Sequence, residues 1–239
     1  MSYLGILALL SLLIVVHELG HLVAAKLAGL PVAGFSVGFG PKLRTRRWGQ
    51  VEYSLRAIPL GGFVMLGLTD EEELRAVPLR KRLAFYLGGP LANLFAALPL
   101  LSVLNGLARG GSFHGLVVLP FQQVAAACRQ LLGVLASLPS HPESLSGVVG
   151  IVVEGGRIAQ SGRILELAIS LSVSLAVFNL LPIPVLDGGQ ITLACLEEVF
   201  PRFARLRVPL TLLGMIVLAV LMVYANGHDV IRYLRSLRT

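Results

Sequence analysis

Charge is scarce in this chain. Of its 239 residues only 14% are Asp, Glu, Lys or Arg, and a soluble domain of that size needs a charged surface that so few residues cannot cover. Cysteine is scarcer still. Cys128 and Cys195 are the only two, form no Cys-x-x-Cys pair, and say little about redox compartment. No stripe of basic and aromatic residues and no nucleic-acid motif appears, so the formal charge of +7 does not signal a nucleic-acid partner. No internal repeat or low-complexity segment is present. The first sixteen residues lack the basic start and the small-x-small cleavage site of a signal peptide.

Apolar residues fill the space that charge leaves. They make up 55% of the chain, raise the mean hydropathy to +0.80, and lie in long runs. About 20 apolar residues in a helix cross the hydrocarbon of a bilayer. Four runs are long enough: 3–30, 83–107, 164–183 and 208–225. The second starts at Gly88-Gly89-Pro90, which is expected to break or kink its helix. A fifth segment, 116–138, carries Gln122, Gln123, Arg129 and Gln130 near its middle. Those side chains are costly at mid-depth, so this segment reads as an extracytoplasmic amphipathic helix on the membrane or against the bundle. The expected fold is an α-helical multi-pass membrane protein in a single domain.

Basic residues set the orientation. Lys26, Lys42, Arg44, Arg46, Arg47, Arg56, Arg75, Arg80, Lys81 and Arg82 crowd between the first two spans, and Arg202, Arg205 and Arg207 between the last two. Cytoplasmic loops carry such an excess, which places both termini outside. The basic tail, with Arg232, Arg235 and Arg238, works against that assignment.

Within this background the few intramembrane charges stand out. His17-Glu18-Leu19-Gly20-His21 lies inside the first span. Positions i and i+4 share a helical face, so both imidazoles reach one metal, while Glu18 sits beside it and can take a proton from water. Zinc suits such a site, and a catalytic zinc site wants a third protein ligand. Asp187 is the acidic residue at the end of another span in a matching place, in Asn179-Leu180-Leu181-Pro182-Ile183-Pro184-Val185-Leu186-Asp187-Gly188-Gly189. The two prolines break the helix, and such backbone is tolerated at membrane depth only inside protein or along a wet cavity. With four spans, the two motifs meet on the cytoplasmic side. A fifth crossing by 116–138 would put Asp187 on the wrong side.

These motifs resemble the site-2 protease family of intramembrane zinc metalloproteases, closest to the bacterial regulator-of-sigma-E type. Weaker support comes from Pro59-Leu60-Gly61-Gly62-Phe63, Gly88-Gly89-Pro90-Leu91-Ala92-Asn93 and Ser146-Gly147-Val148-Val149-Gly150-Ile151. The resemblance implies zinc held by His17, His21 and Asp187, with Glu18 activating water. It implies contacts from Asn179, and more weakly Asn93, to substrate backbone or a developing oxyanion, against a structural hydrogen bond for each. It implies hydrolysis of peptide bonds in single-span membrane proteins in the cell membrane, with the active site toward the cytoplasm. One departure is plain: 108–162 is short and lacks the strand pattern of the PDZ domains that this type carries.

In 34–66, Phe35, Val37 and Phe39 alternate with small residues, and Val51, Tyr53 and Leu55 with polar ones, around Trp48-Gly49-Gln50. The segment reads as a β-hairpin or small sheet. The family implies that it is membrane-associated, and an exposed edge could take an unwound substrate as an added strand. A metal transporter is the rival reading, with ligands spread along a path instead of converging; an inactive scaffold is the other.

Overall fold

The structure is a computed structural model that describes residues 3–137 and 147–236. Leu138, at the end of the segment read as amphipathic, and Ser146 lie outside the described residues. The first helix, α1 (Tyr3–Leu27), is apolar all round, as a helix must be where its surroundings are apolar on every side. Two strands follow, β1 (Val32–Trp48) and β2 (Val51–Leu66). A short helix α2 (Glu71–Ala76) starts at Asp70, whose carboxylate accepts the Glu73 N–H at 2.8 Å. The acidic run 70–73 is thus a helix start, as its sequence suggests.

The next helix, α3 (Leu79–Arg109), is continuous through Pro90 and Pro99. Of the break or kink expected at Gly88-Gly89-Pro90, the break does not occur. In apolar surroundings the freed carbonyls find no water, so a proline is absorbed more cheaply than an open turn. A wide turn at His114–Val118 leads into α4 (Leu119–Ser137), followed by α5 (Val148–Gln160), α6 (Ile164–Asn179), α7 (Asp187–Val199), a tight turn at Pro201–Leu206 and α8 (Arg207–Ser236).

Contacts fix the helix directions. His21 meets Phe85 and His17 meets Asn93, so α1 and α3 are antiparallel. Ser172 bonds Asn93, and Ile169, Val173 and Val177 share a core with Ala97 and Leu101. Gly155, at the other end, lies against Ile6 and Leu167. Hence α6 returns alongside α3, parallel to α1. The connection between α3 and α6 leaves and rejoins at one end, which excludes a lone extra crossing by α4.

Among the described residues, four helices are long and apolar enough to cross a membrane: Leu4–Leu27, Leu79–Ala108, His114–Ser137 and Pro201–Arg235. The expected span at 164–183 is shorter than anticipated. Its helix has 16 residues, about 24 Å, because Pro182 and Pro184 forbid another turn. The segment containing α4 does meet the length criterion. It packs Val124, Ala127, Cys128, Leu131 and Leu135 toward α3 and α6 and leaves Gln122, Arg129 and Gln130 exposed. Asn105 and Gln123 exchange amide hydrogen bonds at 2.9 and 3.3 Å, clipping α4 to α3.

The sheet is more folded than a plain hairpin. Residues 34–37 lie opposite 62–65 on one side and 52–55 on the other, and 52–55 also face 44–47. Bends at Gly38 and Gly61, with φ of +87° and +115°, allow this; a Cβ at Gly38 would stand 2.5 Å from the Ile58 carbonyl oxygen. Phe35, Val32 and Val51 bury against Leu22 and Ala25 of α1, which sets the sheet beside the second half of that helix.

Candidate metal centre

His17 and His21 lie one helical turn apart on α1, both buried. Opposite them, α6 ends at Asn179 and the chain turns through 180–186 before α7. The Leu181, Ile183 and Leu186 amides bond to Phe178, Leu181 and Ile183 carbonyls at 3.1, 2.8 and 2.8 Å, so these three amides of the broken stretch are satisfied internally. Gly188 and Gly189 let this loop fold onto the start of α7: a Cβ at Gly189 would stand 1.9 Å from the Ile183 oxygen. The N-cap position of α7 belongs to Leu186. The Asp187 carboxylate is therefore not a helix cap; it reaches the histidines.

The geometry is compact. Asp187 Oδ2 lies 3.1 Å from His17 Nε2 and 3.4 Å from His21 Nε2, and the two Nε2 atoms are 3.2 Å apart. An ion held tetrahedrally at about 2.0–2.1 Å spaces its ligands by about 3.3–3.4 Å. The three atoms already have that spacing. The Phe85 carbonyl oxygen lies 2.7 Å from His21 Nδ1, so that nitrogen carries the proton and Nε2 offers a lone pair. Asp187 Oδ2 is shielded from solvent and accepts no hydrogen bond among the described residues. Lone pairs converging at such distances repel one another unless a cation lies between them. The residues fit a metal.

Glycines shape the surroundings. A Cβ at Gly89 would stand 2.4 Å from His21 Nε2 and 2.6 Å from His17 Nε2, so α3 turns a bare backbone toward the ligands. One residue earlier, Gly88 allows α3 to press on Gly20, where an added Cβ would lie 2.2 Å from the Gly88 oxygen. Glu18 interacts electrostatically with His21, His17 and Asp187. Its Cγ would lie 2.9 Å from a Cβ on Gly62, so one outer edge of the sheet, 62–66, runs beside the glutamate.

The remaining expected residues fall apart from the ligand atoms. Asn93 is fully buried behind His17, its Nδ2 3.3 Å from His17 Nδ1. That position is closed to a substrate carbonyl, contrary to an oxyanion role. Asn179 donates from Nδ2 to the Leu175 oxygen at 2.9 Å, within its own helix.

A buried ionic cluster braces the Asp187 side. Glu197 of α7 accepts from Arg207 at 2.7 and 2.8 Å and from Arg82 of α3 at 3.2 Å. Arg207 also donates to Gln190 at 2.7 Å, and Gln190 in turn donates to the Pro184 carbonyl. Burial works against the charge on Glu197, yet the hydrogen bonds and charges of Arg207 and Arg82 hold its carboxyl below the usual range.

Comparison with known proteins gives a consistent picture. The model of the family described as Peptidase family M50 matches residues 5–223. The chain is 36% identical over 173 residues to the membrane metalloprotease ARASP, chloroplastic, of Arabidopsis thaliana, covering 67% of this chain and 36% of that protein. It is 43% identical over 112 residues to a Nostoc protein provisionally named a zinc metalloprotease, covering 42% and 30%. A Clostridium perfringens protein with the same provisional name aligns at 27% identity over 321 positions, covering 92% of this chain and 96% of that one. The chain thus spans about a third of the plant relative and nearly all of the clostridial one.

Proposed function

Because the chain belongs to peptidase family M50, we propose that it is a zinc metalloendopeptidase that cuts peptide bonds within or near membrane spans. The observation that carries this reading is the convergence of His17, His21 and Asp187 at 3.1–3.4 Å inside an apolar bundle. His17, His21 and Asp187 hold the ion. Zinc supplies, when bound, a Lewis acid that acidifies water and polarises a carbonyl. Glu18 takes the proton from the attacking water and returns it to the departing amine, so one carboxylate serves as base and then acid. Asn179, the last residue of α6 before the Asp187 loop, is on this reading the amide that meets substrate backbone.

A helical peptide bond is shielded by its own turn, so the substrate must be unwound first. Of the two outer sheet edges, 62–66 is the one beside Glu18. An extended substrate added along it by main-chain hydrogen bonds would present its bonds to the glutamate. The substrates on this reading are single-span membrane proteins. On this reading the site faces the cytoplasmic side of a cell membrane, and the basic residues at the metal end of α1 and α3 support that orientation. His17, His21 and Asp187 converge on one point instead of being spread along the helices, and this speaks against an ion path.

The test is cleavage of a single-span reporter by the reconstituted protein. Glu18→Gln should keep its metal and lose activity by about 10²–10⁴-fold, the usual contribution of a general base. Undiminished cleavage by Glu18→Gln would remove Glu18 as the base. Retention of full zinc by Asp187→Ala would remove Asp187 as a ligand.

A further inference from the structure

Two ring nitrogens of the histidine pair face away from the ligand cluster, and both meet α3. His21 Nδ1 has the Phe85 carbonyl at 2.7 Å, an acceptor that fixes its tautomer. His17 Nδ1 has the Asn93 side-chain amide, its nitrogen at 3.3 Å. A neutral imidazole that gives its Nε2 lone pair to a metal carries its proton on Nδ1. Two donors would then face each other at a fully buried position. At the same time Asn93 Oδ1 is buried and has no hydrogen-bond partner among the described residues. A half-turn of the amide exchanges its oxygen and nitrogen without moving any other atom, and the hydrogen-bond network decides between the two. With the oxygen toward His17, the opposed donors vanish and Oδ1 gains its partner, while Nδ2 takes the buried place that Oδ1 leaves.

We propose that Asn93 is a positioning residue for the metal site, accepting the His17 Nδ1–H through Oδ1 and so holding the tautomer that directs Nε2 at the ion. This rests on His17 being a zinc ligand. The placement of Asn93 is itself fixed from the far side: the Ser172 hydroxyl donates to its backbone oxygen at 2.9 Å, and neither residue is exposed. Asn93 thereby joins the helix that carries the histidines to α6, the helix that leads to Asp187. Its role differs from that of a substrate contact, since it touches a ligand from behind. Partners of this kind raise metal affinity by about 10–100-fold.

Substitution by aspartate separates an acceptor from a donor, because a carboxylate has the same shape and only accepts. Zinc affinity of the purified full chain is measured by competition with a chromogenic chelator, and ligand geometry by the visible absorption of the Co²⁺-loaded protein. Asn93→Asp should bind zinc at least as tightly as the wild type and keep its cobalt spectrum. Asn93→Leu should lose about 10–100-fold in affinity and show altered cobalt bands. The proposal is overturned if Asn93→Asp weakens zinc tenfold or more, or if Asn93→Leu retains wild-type affinity. Should Asn93→Leu fail to fold, the aspartate variant alone decides. His17→Ala serves as the separate control: undiminished zinc binding there would sink the ligand assignment of His17 and not the geometry of Asn93.

Discussion

Gly89 shows how a residue without a side chain can define a reactive centre. Any Cβ there would intrude to within 2.4 Å of His21 Nε2, so Gly89→Ala should lower zinc affinity at least tenfold, measured by metal content after dialysis against a chelator. Gly133→Ala is the control, because nothing among the described residues lies within 4 Å of its added Cβ and alanine favours an exposed helix by about 1 kcal/mol; it should bind zinc normally. Wild-type zinc binding by Gly89→Ala would mean that α3 can withdraw. This also marks the limit of what residues disclose on their own. His17, Glu18, His21 and Asp187 were legible because ionisable groups in apolar runs are costly and therefore conspicuous. Gly89 carries no chemistry to notice, and Gly62 beside Glu18 none either. Asn93 is conspicuous as a polar residue in a span, but only its neighbours tell whether it faces a substrate or the back of a ligand.

At the scale of elements, α7 is held by charge rather than by apolar burial alone. Removing the carboxylate in Glu197→Ala leaves Arg82 and Arg207 buried without their shared partner, which should cost about 3–5 kcal/mol. Thermal unfolding in detergent checks this, and an unchanged midpoint would contradict it. The same pair predicts a pH effect with a definite sign. The folded Glu197 carboxyl titrates below its usual range, so its contribution is complete above about pH 4.5 and is lost as pH falls through the folded value. Acid unfolding should therefore be less steep in Glu197→Gln than in the wild type. Helix existence was readable from apolar runs, whereas two details were not. The continuity of α3 through Pro90 depends on an apolar environment that a proline rule ignores. The double pairing of residues 34–37 and 52–55 depends on bends at Gly38 and Gly61, and alternation along one strand cannot report which neighbours it has.

For the molecule as a whole, the directions of α1, α3 and α6 bring two distant motifs to one point. The sequence anticipated that meeting by counting spans, and the structure reaches it through contacts: α3 runs against both α1 and α6. What the count missed was the brevity of α6 and the length of the helix at 114–137. The arrangement predicts an accessibility pattern. In a background with Cys128 and Cys195 replaced by serine, Gln50→Cys should resist a membrane-impermeant thiol reagent in intact cells, while Gly111→Cys should label. The reverse pattern would invert the assigned orientation.

The proposed peptidase activity rests on one ion bound by two imidazoles and one carboxylate. Zinc K-edge X-ray absorption on the purified, detergent-solubilised protein tests that most directly. One zinc per chain is expected, with a shell of only nitrogen and oxygen neighbours at about 2.0–2.2 Å and an imidazole scattering pattern that is halved in His21→Ala. Sulfur at about 2.3 Å, or a spectrum unaltered by loss of His21, would contradict it.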